Sequence, residues 1–239
     1  MTPAELLTPE AVSAEHSLVE RYTRMANEGL ERRPVNPLLR LLDVILATFA
    51  LALLSPVLIA AAIAIRLTSR GPWLYRGLRV GKGGHLFTMV KFRTLREDAE
   101  SRLGPYLGLE LSLLTDAEVT RVGRWLRRTH LDEAPQLWNV LKGEMSLVGP
   151  RPVRPFFFEG LCRDVPQYWQ RLVVPPGLTG LAQIRLTREE KWEDKLAHDL
   201  EYIADRSVRL YLHVLRETAV RVLRRLSSDG AAGAEPFAR

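Results

Sequence analysis

Cysteine is all but absent from this 239-residue chain: Cys162 stands alone, so no intrachain disulfide can form and a four-cysteine zinc site is impossible. A reducing compartment suits such a sequence. Lysine is also scarce, since the 34 basic residues divide into 29 Arg and 5 Lys, against 28 acidic residues and a formal net charge of +6. So strong an arginine bias favours planar, bidentate contacts to phosphate or carboxylate over a diffuse positive coat. Neither a dinucleotide-binding glycine fingerprint nor a phosphate-binding P-loop occurs, and there are no internal repeats and no recognisable nucleic-acid module. With 46% hydrophobic and 26% charged residues, and 15 Pro and 16 Gly spread along the chain, collagen-like, coiled-coil and wholly disordered architectures are excluded. What remains is one globular domain of ordinary size that meets an anionic partner.

Charge is missing from one long stretch. Val44 to Ile65 is 22 residues without a charged side chain, its only polar side chains being Thr48 and Ser55. As a straight helix it would measure about 33 Å, enough to cross a hydrocarbon core. The run starts too far into the chain, and is too long, for a cleaved signal peptide. Pro56, preceded by Ser55, divides it into halves too short to cross alone. Proline removes an amide donor, so a bend is expected there, with the Ser55 hydroxyl bonding to a freed carbonyl. Arg21, Arg24, Arg32, Arg33 and Arg40 precede the run, and Arg66, Arg70, Arg76, Arg79 and Lys82 follow it. Basic residues on both sides favour keeping both ends on the cytoplasmic face. The physics leaves two topologies open: a re-entrant helix-break-helix, and a kinked helix that crosses fully. Either way the C-terminal part lies in the cytoplasm.

The pattern predicts an α+β fold, mostly helical, with a small β-hairpin: strands over 73–75 and 85–90 around the turn Gly81-Lys82-Gly83-Gly84. Helices are expected from Leu95 to Leu103, Glu118 to Arg128 and Gln136 to Leu141, the last stopping at Gly143, with Gly104 to Thr115 a loop or short helix. Two rigid extended loops are expected at 149–155 and 175–180, followed by helix over 189–226 with a basic stripe at Arg216, Arg221, Arg224 and Arg225. The chain then divides into an N-terminal surface segment and linker (1–37), the membrane helix (38–66), a cytoplasmic catalytic domain with C-terminal amphipathic helices (67–226) and a flexible tail (227–239).

Asp132-Glu133 carries the chemistry. A lone Asp-Glu pair ordinarily starts a solvated helix, but this one follows Arg121, Arg124, Arg127 and Arg128 and precedes Pro135, which opens a helix. One carboxylate able to hold a divalent cation and one free to attack or accept a proton suit phosphoryl chemistry. Arg151, fixed between Pro150 and Pro152, is a second preorganised anion contact.

These residues belong to a set of motifs in fixed order: Asp43 and Ser55-Pro56; Lys91-Phe92-Arg93-Thr94; Arg121-Val122-Gly123-Arg124; Leu131 to Gly143; Gly149-Pro150-Arg151-Pro152; and Pro176 to Gly180. Over Leu38 to Val222 the chain resembles the bacterial sugar transferases, monotopic polyprenyl-phosphate phosphoglycosyl transferases. The resemblance implies a monotopic protein of the bacterial inner membrane, with a re-entrant helix broken at Ser55-Pro56. It implies Asp132 as nucleophile, Glu133 as the magnesium-binding partner in a dyad that shares the metal, and Lys91, Arg93, Arg127 and Arg151 around the diphosphate and nucleotide. The implied reaction moves a sugar-1-phosphate from a nucleoside diphosphate sugar, a UDP-sugar, to polyprenyl (undecaprenyl) phosphate through an aspartyl ester, the first step of exopolysaccharide or other glycoconjugate assembly. The implied partners are the two substrates and inner-membrane lipid, with no nucleic acid; a homo-oligomer is compatible with the sequence. The chain departs from the family pattern at Gly77, usually Gln; at His130, usually a small residue; and at Ile184-Arg185-Leu186-Thr187, a segment that would bear on the choice of sugar. His130 is expected to be a hydrogen-bonded structural residue, with proton carrier the alternative role. The competing reading is a catalytically silent, membrane-anchored scaffold, which would predict a damaged dyad or arginine set.

Overall fold

The computed structural model of the chain describes residues 33–97, 99, 117–187 and 190–232, with side chains through Arg224. The expectations for residues 1–32, for Gly104 to Thr115, for most of Leu95 to Leu103, for the Arg225 side chain and for 233–239 lie outside the described residues. The fold is α+β and mostly helical, with two small two-stranded sheets.

Helix α1, Asn36–Thr68, opens with a proline in its first turn and ends where the Ser69 amide bonds to Ile65. At 33 residues it is long and apolar enough to cross a membrane. Leu39, Asp43, Ala47, Ala61 and Ile65 are its buried residues, and at 100° per residue they fall on one stripe. Leu41, Ile45, Phe49, Leu53, Ile59, Ile63 and Leu67 remain exposed on the other face. An apolar surface this continuous needs lipid to cover it, and the protein is accordingly membrane-associated. The helix is continuous through Pro56 rather than interrupted. The carbonyl that Pro56 leaves without its amide is that of Ala52, and it accepts the Ser55 hydroxyl at 2.8 Å, as expected.

Strands β1 (Leu74–Val80) and β2 (Leu86–Phe92) form the expected hairpin, longer than the sequence pattern indicated. The turn works because Gly83 and Gly84 take positive φ, 65° and 83°. Register sets Tyr75 opposite Lys91 and Gly77 opposite Met89, so these four share one face. Leu95 is not helical as expected: it makes a β-bridge to Val119, which shortens the next helix, α2, to Arg121–Arg128. Thr120 caps α2 by accepting the Gly123 amide at 2.9 Å. A Cβ at Gly123 would collide with the Thr94 main chain, so glycine lets α2 lie directly against the end of β2.

A 3-10 turn, Leu131–Gln136, leads into α3, Leu137–Lys142, which stops at Gly143 with φ 85°. The two loop motifs turn out to be partners. Strand β3 (Ser146–Val148) pairs in parallel with β4 (Gly177–Thr179), a pairing the sequence reading did not anticipate. Beyond β3 the chain is extended as expected, until Pro155 begins helix α4, Pro155–Asp164. A 3-10 segment, Tyr168–Val173, and a short helix α5, Leu181–Arg185, flank β4. The helix expected over 189–226 is two helices, α6 (Trp192–Asp205) and α7 (Val208–Ala232). They part at buried Arg206, whose Nε donates to Asn36 Oδ1 at 2.9 Å and whose Nη1 donates to Ile203 O at 2.6 Å.

The main core joins Leu39 and Ala47 of α1 to Phe87 and Met89 of β2, Val140 of α3, and Tyr211 and Val214 of α7. A smaller cluster joins Ala61 and Ile65 to Phe92 and Leu126. Both ends of α1 therefore pack on one domain. Asp43 locks the first end, accepting from Ser146 Oγ at 3.0 Å, the Leu147 amide at 2.8 Å and Tyr211 OH at 2.8 Å. Arg40 adds a hold on α3, donating to Leu141 O at 2.8 Å.

Candidate active site

Asp132 and Glu133 sit in the first turn of the 3-10 segment after α2. His130, just before them, is the one non-glycine residue with positive φ among the described residues, at 56°. Left-handed backbone at a histidine is uncommon and clusters at functional sites. Its carbonyl accepts the Glu133 amide at 3.3 Å.

Asp132 is buried, at 8% exposure. Burial, then the adjacent Glu133 charge, pushes its pKa up to about 6, against the opposing pull of Lys91 and Arg127. Glu133 behaves oppositely. Burial would raise it, but the Arg151 charge and hydrogen bond, Lys91 and His130 outweigh burial and hold it below the ordinary carboxylate range. Arg151 Nη2 lies 2.9 Å from Glu133 Oε1, with the arginine side chain 54% exposed at the edge of the site. Neighbouring carboxylates thus differ in proton affinity, the arrangement that separates two roles within a pair.

Two further cations meet the dyad. Lys91 lies over the Tyr75 ring, 4.9 Å from its centroid. Burial lowers its pKa to about 8, with Arg79 and Arg127 acting in the same sense and Asp132 and Glu133 against them. Arg127, on the last turn of α2, donates from Nε to Thr94 Oγ1 at 3.0 Å, which orients it. The structure brings Lys91, Arg127, Asp132, Glu133 and Arg151 together. Arg93 goes elsewhere: it is buried at the end of α1, donating to Ser69 Oγ at 2.6 Å, to Ser69 O at 3.1 Å and to Arg70 O. Ser55 and Pro56 lie at mid-helix in α1, both exposed.

Arg151 owes its place to glycines. A Cβ at Gly177 would run into the Gly149 main chain, and one at Gly180 into the Gly149 carbonyl. The two loops can therefore touch backbone to backbone, the Gly177 amide donating to Pro150 O and the Gly149 amide to Thr179 O, each at 2.8 Å. Sequence reasoning did not single out Tyr75 or Arg79, which line the same hairpin face beside Gly77. A Cβ at Gly77 would strike the Tyr75 ring and the Arg79 guanidinium, so both side chains occupy the place a larger residue would take. The alternation of Tyr75, Gly77 and Arg79 along β1 was the available signal. Arg171 and Asp199 were also missed.

Among the described residues no three His, Cys, Asp or Glu side chains converge to hold a metal ion. Asp132 and Glu133 remain the only expected pair. That donor set fits magnesium, which binds through one or two carboxylates with phosphate oxygens and water completing its shell, better than an all-protein cage.

Against known proteins, the sequence pattern of the bacterial sugar transferase family matches residues 35–225. The chain is 41% identical over 191 residues to the UDP-glucose:undecaprenyl-phosphate glucose-1-phosphate transferase of Caulobacter vibrioides, covering 77% of this chain and 69% of that protein. It is 38% identical to the Escherichia coli K12 protein of the same name, covering 87% and 46%. It is 37% identical to the UDP-N-acetylgalactosamine-undecaprenyl-phosphate N-acetylgalactosaminephosphotransferase of Aeromonas hydrophila, covering 76% and 43%. The chain therefore spans less than half the length of several relatives it matches. With a match running from the start of α1 into α7 and taking in the whole dyad region, the chain belongs to the bacterial sugar transferase family.

Proposed function

We propose that the protein transfers a sugar-1-phosphate from a UDP-sugar to undecaprenyl phosphate, giving an undecaprenyl-diphosphate sugar at the start of exopolysaccharide or other glycoconjugate assembly. The observation that carries this reading is the division of labour in the dyad: buried Asp132 faces Lys91 and Arg127, while Glu133 is held by Arg151. A scaffold without activity has no use for a carboxylate held at such cost.

In the first step an Asp132 oxygen forms a bond to the sugar-bearing phosphorus, and the bond from that phosphorus to the bridging oxygen breaks. The electron pair leaves with uridine monophosphate. In the second, an oxygen of the lipid phosphate attacks the same phosphorus, and the Asp132 carboxylate departs. Lys91, Arg127 and Arg151 stabilise the negative charge on the phosphoryl oxygens at each step. Magnesium would be held by Glu133 and Asp132, and it supplies further charge neutralisation.

Helix α1 serves as a re-entrant anchor in the inner membrane. Leu39, Asp43 and Ala47 at one end and Ala61 and Ile65 at the other are all buried against the catalytic domain, with exposed Ser55-Pro56 between them. With both ends of α1 packed on one domain, both ends lie on one side of the bilayer, here the cytoplasmic face. In a Cys162→Ser background, single cysteines at positions 33 and 70 should both escape an impermeant maleimide added outside intact cells; labelling of either would overturn this topology.

The activity is tested by incubating purified protein with labelled uridine monophosphate, magnesium and a panel of UDP-sugars, without lipid. Label should enter the matching UDP-sugar. Exchange that appears only with lipid phosphate present would mean direct attack by the lipid and no aspartyl ester.

A further inference from the structure

Behind Arg151 lies a buried ion pair that the dyad chemistry does not use. Arg171 and Asp199 are each 5% exposed, with Nη2 and Oδ2 2.8 Å apart. The same Nη2 donates to the main-chain carbonyl of Arg151 at 2.9 Å, while Nη1 donates to Tyr168 OH. The Tyr168 ring lies beneath the guanidinium, 4.8 Å from it. Helix α6, which carries Asp199, takes a second hold on the same stretch through Tyr202 OH, which donates to Val148 O at 3.0 Å. So α6 grips the chain on both sides of Gly149-Pro150, once directly and once through Arg171.

Burying two charges costs several kcal/mol of desolvation per ion, and the attraction between them does no more than offset it, so a buried pair is weak evidence for stability. Its geometry is more informative. Arg151 is tied by its own backbone: prolines on both sides restrict φ, and the carbonyl between them is fixed by a guanidinium whose orientation is fixed in turn by Asp199 and Tyr168. The side chain so placed reaches Glu133 at 2.9 Å.

Building on the activity proposed above, we infer that Arg171 and Asp199 are positioning residues for the transfer reaction. They set the place of the Arg151 main chain and, through it, the guanidinium that faces Glu133 and the substrate's phosphates. Neither touches substrate. Arg171→Lys keeps a positive charge opposite Asp199 but loses the planar fork that lets one side chain serve a carboxylate, a carbonyl and a phenol together.

The test is a double-mutant cycle between Arg171→Lys and Arg151→Lys, read in two ways: the acceptor-free exchange rate and the affinity for UDP by calorimetry. With Arg151 present, Arg171→Lys should lower exchange about 10-fold and weaken UDP binding about 3-fold. With Lys already at 151, the same change should alter each by less than about 2-fold, because residues acting through one another are non-additive. Equal losses in both backgrounds would make the pair merely structural and overturn the inference, as would no loss in either. Asp199→Glu, which keeps both charges but displaces the fork, gives an independent reading with the same two outcomes if the lysine variant fails to fold. Failure of the activity reading looks different: no exchange in the unmodified protein with any sugar, while the UDP cycle still reports on the coupling.

Discussion

Two buried aspartates, Asp43 and Asp132, show how one side chain serves opposite ends. Asp43 receives three donors, from Ser146 and Leu147 of β3 and from Tyr211 of α7. Asp132, buried to a similar degree, is met by the charges of Lys91 and Arg127 and by its own amide, and it sits beside a like charge. Hydrogen bonds aimed at a carboxylate fix it in place and use its lone pairs. Charges at a distance keep it soluble in the site but leave an oxygen able to attack. The first aspartate is a fastening; the second is the group proposed above as the reagent.

Substitution by the isosteric amide breaks this comparison most sharply. Asp132→Asn should reduce acceptor-free exchange by at least about 10³-fold, because a carboxamide is a poor nucleophile at phosphorus. The same change should stabilise the protein by about 3 kcal/mol at pH 7.5, since the native state no longer has to ionise a group whose pKa folding raised from 3.8 to about 6. Thermal unfolding in detergent with a chelator present checks the second half; a loss of stability would show that the attractions to Asp132 outweigh its burial. Asp43→Ala should do the reverse. Three donors are left in a dry core, which costs about 3 kcal/mol, whereas exchange per folded molecule should fall less than about 3-fold. A Tm that hardly moves would mean that the foot of α1 is not fastened there.

The pH dependence follows with its sign. Exchange needs Asp132 ionised and Lys91 protonated, so the rate should fall about 10-fold per unit below pH 6 and again above pH 8. Stability runs the other way. The Asp132 pKa is raised by folding, so its contribution is lost as pH rises from about 4 to 6. The Lys91 pKa is lowered from 10.5 to about 8, so the penalty for its charge persists until pH climbs through that interval. The working window is the one in which both groups carry buried charge. A flat rate profile from pH 5 to 9 would remove Asp132 as the attacking group.

What was legible in the sequence was local. Pro56 with Ser55, the glycine turn of the hairpin and the contiguous dyad each declare themselves within a few residues, where backbone chemistry decides. Strands β3 and β4 are three residues each and show no alternation, so only their glycine-to-glycine contact, 28 residues apart, reveals them. Arg93 sits in a basic motif beside Lys91, yet its donors close the C-terminus of α1, where unpaired carbonyls attract a cation. Strand alternation would place Lys91 and Arg93, two residues apart, on one face, but β2 ends at Phe92, so Arg93 leaves that alternation, and its partners, Ser69 and Arg70, come from a distant part of the chain. Arg171 and Asp199 were illegible for the same reason: their pairing joins a 3-10 turn to α6 across the fold.

The smallest expected effect lies at the middle of α1, and it sharpens the contrast between helix ends held by the protein and an exposed mid-helix stretch proposed to lie in lipid. Ser55→Ala removes the donor that meets Ala52 O, the carbonyl already deprived of its amide partner by Pro56. In water the loss would be negligible, because solvent replaces the bond. In hydrocarbon a bare carbonyl has no such substitute, and intramembrane hydrogen bonds are worth about 0.6–2 kcal/mol. The expected outcome is therefore a loss of about 1 kcal/mol in lipid nanodiscs, with exchange unchanged within about 2-fold because Ser55 takes no part in the dyad. The loss should shrink toward zero in a mild detergent that lets water reach the helix. Equal losses in nanodisc and detergent would place Ser55 in a protein contact. A loss as large as that of Asp43→Ala would mean that the middle of α1, like its ends, is fastened to the domain.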